Sequence, residues 1–433
     1  MHILPGSWKN EEDNVNILVI GSGGREHALY WKLMESPQTD NIYAIPGNPG
    51  MGKQINISVT DNDAILKFAK EKEIGLVVVG PEIPLTNGLV DDLEEAGICA
   101  FGPRANAAEI EGSKAFAKDL MKKYGIPTAR YEVFNEAEPA RAYIRKEGAP
   151  IVVKADGLAA GKGVIVAMTE REALEAVDAI MEGSSFGDAG ARIVIEEFME
   201  GEEASLLAFT DGKIIRPMIS AQDHKRALDG DRGSNTGGMG TYAPAPVMTH
   251  EMIERATEEI LKPTIAAMAN EGRVYRGCLY LGLMITKDGP KVVEFNARFG
   301  DPETQVVLPL LDGDLVQIMR ACSEGTLADV PIHWKSGAAV CVVLAAGGYP
   351  ASYEKGDEIF GITDAEAMGA LVFHAGTAEQ NGKIVTNGGR VLGVVGMGES
   401  IASAVKKSYA AVEKISFRNA YHRKDIAHRA LHR

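Results

Sequence analysis

Val292-Val293-Glu294-Phe295-Asn296-Ala297-Arg298-Phe299-Gly300-Asp301-Pro302-Glu303 reads as a strand running into a turn. Residues two apart share a face of a strand. Glu294, Asn296 and Arg298 are therefore expected on one side, with Val293, Phe295 and Ala297 facing a core. A carboxylate beside an amide oxygen offers the hard ligands that Mg²⁺ takes when it also holds phosphates. The arginine next along adds a planar fork for a carboxylate or phosphate, and Asp301 adds an acid at the turn. The competing reading is an amphipathic strand with a solvated polar face.

Upstream, Ile151-Val152-Val153-Lys154-Ala155-Asp156-Gly157-Leu158-Ala159-Ala160-Gly161-Lys162-Gly163-Val164 sets a lysine at a strand end before a run of small residues. Small residues let backbone amides approach phosphate oxygens, and Lys154 and Lys162 bring charge. The spacing is not that of a P-loop, so another kind of nucleotide site is expected. Lys114 is a second candidate cation for the same phosphates, although each lysine alone would read as a solvated surface group. Glu196, Glu197, Phe198 and Met199 leave a strand through apolar residues, which suits an adenine edge. Glu203 then stands where a ribose hydroxyl acceptor would be useful, while an ordinary strand and turn would have the same pattern.

Gly21-Ser22-Gly23-Gly24-Arg25-Glu26-His27 follows a strand but breaks the dinucleotide fingerprint, because its third glycine would fall at Glu26. A helix N-terminus there still offers N–H groups to an anion, against a plain tight turn as the alternative. The polar stretch 221–242 is too long and glycine-rich for a mere connector. Its Asp223, Lys225, Asn235, Thr236, Gly237 and Gly238 suggest a second wall for phosphate and substrate, with His224 as a hydrogen-bonding residue. Arg390 opens a later strand and either reaches a phosphate across a cleft or makes a structural ion pair.

The chain has 433 residues, too many for one ordinary core. A formal charge of −15 argues against a general nucleic-acid or membrane binder. No apolar run approaches a membrane span, and residues 1–14 read as a leader without secretory character. Cys99, Cys278, Cys322 and Cys341 are scattered singly, so reduced buried thiols and a cytoplasmic address are expected. A βαβ rhythm over 15–104 predicts an α/β fold opening with a doubly wound parallel sheet. Residues 105–328 predict a central α+β domain with a small lid at about 137–204, and 329–433 a small C-terminal α+β domain. The basic tail around Arg423-Lys424-Asp425-Ile426 reads as a surface face.

The order of lysine, glycine loop, adenine hinge and Glu-Phe-Asn strand resembles the ATP-grasp superfamily. The strings Asp156-Gly157-Leu158-Ala159-Ala160-Gly161-Lys162-Gly163-Val164 and Gly300-Asp301-Pro302-Glu303-Thr304-Gln305, with the Gly21–Gly24 turn and Gly80-Pro81-Glu82, resemble the phosphoribosylamine–glycine ligase (glycinamide ribonucleotide synthetase) family in particular. The likeness runs from about Val15 to the C-terminus. It implies a pre-ATP-grasp domain, an ATP-grasp domain with a mobile lid, and a C-terminal domain. It implies ATP as co-substrate on Lys114, Lys154, the 157–163 loop, 196–199 and Glu203, and Mg²⁺ or Mn²⁺ on Glu294 and Asn296. It implies a catalytic set of Arg298, Asp301 and Lys225.

Candidate substrate residues are Gly23, Gly24, Asn48, Glu82, Asp223, Asn235, Thr236, Gly237, Gly238, Arg298, Asp301 and Arg390. By analogy within the superfamily, Glu82 would hold ribose hydroxyls and Arg390 the sugar phosphate. Many superfamily members carry a further acidic metal ligand on the preceding strand, which here reads Leu279-Tyr280-Leu281-Gly282-Leu283-Met284 without a carboxylate. The implied reaction joins glycine to 5-phosphoribosylamine through glycyl phosphate in de novo purine synthesis. No nucleic acid or membrane partner is expected, and the assembly is a monomer or weak homo-oligomer. Other ATP-grasp carboxylate–amine ligases and a non-catalytic nucleotide-binding regulator are the competing functions.

Overall fold

The computed structural model describes residues 14–158, 163–183 and 189–432. Residues 1–13, which hold most of the expected leader, and 159–162 in the glycine loop lie outside that description. Val15–Gly21, Thr39–Pro46, Ile74–Val79 and Ala100–Phe101 form a parallel sheet in the order second, first, third, fourth. Ile17, Leu18, Val19 and Ile20 are all fully buried, as a strand covered on both faces requires. The carboxyl ends of these strands carry the turns at Gly21, Pro46 and Gly80, which open toward the site. After Gly80 the chain turns at Pro81 into the short helix Glu82–Thr86, whose first turn bears Glu82.

Helix Lys114–Tyr124 begins where Ser113 Oγ accepts from the Phe116 amide and ends at Gly125 with φ 68°, the left-handed stop that glycine adopts without cost. Two antiparallel sheets follow. Tyr131–Phe134, Ile193–Glu197, Ile151–Ala155 and Val164–Ala167 make the smaller one, with its own core of residues such as Ile144, Val153, Val177 and Ile195. The larger has Ile215–Pro217, Glu202–Thr210, Gly277–Thr286 and Gly289–Asn296 in that order. The smaller sheet's core is separate from the other hydrophobic cores of the molecule.

The segment 221–242 departs from its expected loop. Gln222–Asp223 and Gly240–Ala243 are strands, and they begin the five-stranded sheet completed by Ala338–Ala345, Arg390–Gly398 and Leu371–His374. Tyr242, fully buried in the C-terminal core, pulls the loop's end into that sheet. Between the two strands, Arg226–Leu228 and Arg232–Asn235 form a hairpin. The segment is thus built on the C-terminal sheet, which fixes it more firmly than a free loop would. The four cysteines are free and buried, and among the described residues no helix is long and apolar enough to cross a membrane.

Candidate active site

Strand Gly289–Asn296 pairs with Gly277–Thr286 so that Gly282 faces Glu294 while Leu283 faces Val292. Val293 has no partner in this register and forms a bulge. This corrects the expected alternation, because Val292 is the fully buried residue and Val293 is only partly covered. The bulge also releases the Val293 carbonyl, which accepts from Lys154 Nζ at 3.0 Å. Glu294 and Asn296 remain partly exposed on either side of buried Phe295.

A side chain at position 282 would set its Cβ 3.0 Å from Glu294 Cγ, so Gly282 leaves Glu294 room and brings no second acid. Among the described residues there is no group of three or more His, Cys, Asp or Glu that would hold a metal. Two oxygen donors suit a hard cation that takes the rest of its shell from phosphate and water. Arg298 Nη2 lies 3.4 Å from Asn296 Oδ1 and 2.8 Å from Glu111 Oε1, and its Nε lies 3.4 Å from Glu82 Oε2. Glu111 also accepts from the Ala297 amide at 2.6 Å. Burial opposes the Glu82 charge, but Arg298 and Arg25 outweigh it and hold the carboxyl below its usual range.

Lys154 and Lys118 share one buried carboxylate. Glu196 Oε1 is 2.9 Å from Lys154 Nζ, and Glu196 Oε2 is 3.0 Å from Lys118 Nζ. Burial lowers Lys118 to about 8, against which Glu196 pulls upward. Lys118 also donates to Thr128 Oγ1 at 2.8 Å, and Thr128 donates to the Val292 carbonyl at 2.7 Å. Lys154 is therefore tied to the Gly289–Asn296 strand from two directions. Replacing Glu196 by Leu would leave two ammonium groups buried without a counterion, and the expected loss is about 3–5 kcal/mol of stability. A urea midpoint unchanged from the parent would sink this account.

Lys114 Nζ donates to the Gly157 carbonyl at 2.9 Å, at the edge of the glycine loop. Of that loop, Ala159, Ala160, Gly161 and Lys162 lie outside the described residues; Leu158 and Gly163 flank them. Glu197 turns outward to Arg130, with Oε2 2.6 Å from Nε, and Phe198 and Met199 continue beyond the strand. Glu203 Oε2 is 2.8 Å from Lys225 Nζ. Burial disfavours the Lys225 charge, yet Glu203 and Glu294 outweigh it and push its pKa well up.

At the first turn the helix N-terminus meets an internal anion. The Gly23 amide donates to Glu26 Oε2 at 2.7 Å, and a Cβ on Gly21 or Gly80 would run into the Glu26 side chain. Gly24 lies against Gln305 instead. Arg25 pairs with Glu26 and donates from Nη1 to the Phe299 carbonyl at 3.2 Å, which brings it beside Asp301. Asn48 donates through Nδ2 to the Ser22 and His374 carbonyls, both at 2.9 Å, and so staples the first turn to the C-terminal sheet.

Arg390 makes the ion pair that its sequence left open. Its Nη1 lies 3.2 Å from Asp301 Oδ1 and donates to the carbonyls of Gly237 at 2.7 Å and Asp301 at 2.9 Å. Thr236 donates through N and Oγ1 to the Lys225 carbonyl, and the Gly238 amide donates back to Thr236 Oγ1 at 3.0 Å. Gly238 has φ +117°, and a Cβ there would approach Asp223 Oδ1 to 2.8 Å. Burial and the neighbouring Glu303 raise Asp223 well above the usual carboxylate range. Asn235 closes the hairpin opposite Arg226.

The chain is 53% identical to the phosphoribosylamine–glycine ligase of Haemophilus influenzae over 425 residues, 97% of this chain and 99% of the relative. It belongs to the phosphoribosylamine–glycine ligase family. The enzyme of that name from Agrobacterium fabrum is 52% identical over 422 residues, again 97% of this chain and 99% of the relative. The models described as Phosphoribosylglycinamide synthetase match in three parts: the N domain at 15–111, the ATP-grasp (A) domain at 112–304 and the C domain at 339–429.

The crystal structure of phosphoribosylamine–glycine ligase from Thermotoga maritima has a TM-score of 0.83 at 38% identity, covering 95% of this chain and all (100%) of that one. The biotin carboxylase domain of the Hydrogenobacter thermophilus 2-oxoglutarate carboxylase, at 16% identity, 95% coverage of this chain and 92% of that one, shares the fold with a TM-score of 0.72. The α/β architecture with an ATP-grasp centre is that of the phosphoribosylamine–glycine ligase family.

In this phosphoribosylamine–glycine ligase family member, several residues around the site escaped the sequence reading. Lys118 stands four residues after Lys114 on one helix, a spacing that marks a shared face. Glu26 is the third residue of its helix after Gly23, the position from which a carboxylate reaches back to the cap. Glu111 precedes the Gly112-Ser113-Lys114 string but carries no local mark of its link to Arg298. Glu303, whose Oε1 is 2.9 Å from both Ser205 Oγ and Tyr280 Oη, shows its burial only in three dimensions.

Proposed function

We infer that this chain joins glycine to the amine of 5-phosphoribosylamine at the expense of ATP, giving glycinamide ribonucleotide, ADP and phosphate in de novo purine biosynthesis. The observation that carries the site assignment is the meeting of the Glu294–Asn296 face with Lys154 at the Val293 carbonyl. A free carboxylate acylates an amine poorly, so the glycine carboxylate attacks the ATP γ-phosphate and becomes glycyl phosphate. The phosphoribosylamine nitrogen then displaces phosphate, losing a proton as the amide forms.

The protein's part is positioning and charge neutralisation. Lys114, Lys154 and the glycine loop at 157–163 serve the phosphates, and 196–199 the adenine. Glu294 and Asn296 would hold a divalent ion, Mg²⁺ or Mn²⁺, which would supply charge neutralisation to the phosphates. Arg298, braced by Glu111, orients the carboxylate, while Asp301 and Lys225 stand at the transferring group. Glu203 serves the ribose of ATP. Gly23, Gly24, Asn48 and Glu82 receive the ribose side of phosphoribosylamine, with Asp223, 235–238 and Arg390 opposite. Closure of the lid keeps water from the acyl phosphate. The enzyme works in the cytoplasm on small molecules, as a monomer or weak homo-oligomer without nucleic acid or membrane.

ADP release will require glycine. A coupled assay varying amino acid and amine separately tests this, and robust ADP formation with glycine omitted would refute the order of chemistry.

A further inference from the structure

The basic tail is not the surface face that its composition suggests. Arg423 is 0% exposed and is held by Asp425 through Nε and Nη2, both at 2.7 Å, by Asp231 Oδ1 at 2.9 Å and by the Arg226 carbonyl at 3.1 Å. A guanidinium uses this many donors only where acceptors have been arranged around its plane. Asp231 is the tip of the hairpin within 221–242 and stands at φ 54°, an unusual backbone state for a non-glycine residue. Arg429 Nη2 reaches its other oxygen at 2.6 Å.

A second tie runs to the loop's base. The Ala427 amide donates to His224 Nε2 at 2.9 Å, which leaves the imidazole proton on Nδ1, 3.8 Å from Asp231 Oδ1. His224 is fully buried, and its own amide and carbonyl bond Gly240 O and the Met239 amide, both at 2.8 Å. Asp223 and Lys225 are its immediate neighbours in the chain. Their side chains point to Gly238 and Glu203 respectively, into the wall assigned to substrate.

Resting on that assignment of Asp223 and Lys225, we propose that Arg423 is a positioning residue for the ligation, acting through Asp231 and, with the Ala427 amide, through His224. The tail holds the hairpin and the His224 ring from outside, and this sets where the side chains on either side of His224 stand over the reacting groups. The lid and the nucleotide lysines lie on other elements. Lys225 meets the nucleotide side only through Glu203, so the effect falls on turnover more than on nucleotide binding.

The test uses the full chain carrying Arg423→Met, Arg423→Lys, His224→Phe or His224→Gln. ADP release is measured with ATP, glycine and amine varied separately. Hydrogen exchange is read at the Thr236 and Met239 amides, which bond the Lys225 and His224 carbonyls. Arg423→Met and His224→Phe should lower kcat by about 10- to 100-fold and hold the KM for ATP within about twofold. They should also speed exchange at those two amides but not in the lid strand Ile193–Glu197. Arg423→Lys and His224→Gln, which keep a donor or an acceptor, should recover part of the loss.

Unchanged kcat with accelerated exchange would overturn the positioning role. So would a fall in kcat accompanied by a raised KM for ATP, faster exchange everywhere and no rescue, which marks a merely structural tail. A parent enzyme that releases no ADP with glycine and amine would instead sink the functional reading itself.

Discussion

Replacing Glu294 by alanine is expected to cut turnover by on the order of 10²-fold or more, the loss seen when one preorganised electrostatic group is removed. The size follows from the sparse donor set. Glu294 faces Gly282, which carries no side chain, and Asn296 supplies only a neutral oxygen already 3.4 Å from an Arg298 nitrogen. Among the described residues no group of three or more His, Cys, Asp or Glu is gathered to hold a metal, so Glu294 is the acid of a two-donor pair. Lys114, Lys225 and Arg298 all feel the Glu294 charge, so its loss also leaves an excess of fixed positive charge at the cleft. The side chain is partly exposed, and its removal should cost little stability. Titrating Mg²⁺ or Mn²⁺ in the ADP-release assay separates the two readings of this strand. A raised metal requirement with depressed kcat fits a ligand, and near-normal turnover with metal affinity retained fits a solvated polar face.

Stability should fall steeply as the pH drops from about 6.5 toward 4, because His224 and His374, both buried, and the half-buried His27 stay neutral in the fold. Burial, then the neighbouring His374, depresses His27 to about 3; burial depresses His374 to about 4 and His224 to about 4. Hydrogen bonding supports the neutral form in two of them. His27 Nδ1 accepts from the His374 amide at 2.8 Å, and His224 Nε2 accepts from the Ala427 amide.

The unfolded chain binds protons at these groups near 6.5 while the folded chain does not. Unfolding therefore takes up protons in this window, and stability rises with pH until the unfolded value is passed, then levels off. Each histidine contributes at most about 1.4 kcal/mol per pH unit. Urea midpoints compared from pH 7 to pH 5 should drop in the parent. They should drop less in His27→Gln, which cannot take up the proton. A His27→Gln midpoint that falls as far as the parent's would remove His27 from this account.

The residues that the chain's own pattern marked are those whose chemistry is local. Alternation named Glu294 and Asn296 together because strand geometry sends residues two apart to one face whatever the partner. The apolar runs at 17–20 and 76–79 announced a sheet buried on both sides, and the scattered cysteines announced thiols in a core. The bulge at Val293 was not legible, since a bulge is a mismatch between two strands and only one of them is in view at a time. The same holds for the segment 221–242, whose outer strands join a sheet because the distant Ala338–Ala345 offers its edge to Gly240–Ala243.

Sequence by itself therefore determined the fold class, much of the run of strands and helices outside 221–242, and the chemical groups offered along them, because backbone periodicity and side-chain type act over a few residues. Tertiary structure alone decided which charges meet: Glu111 with Arg298, Glu196 between Lys118 and Lys154, Asp301 with Arg390, and Arg423 with Asp231. A charge drawn out of water needs its counterion within a few ångströms, and that distance is set by the packing of elements far apart in the chain.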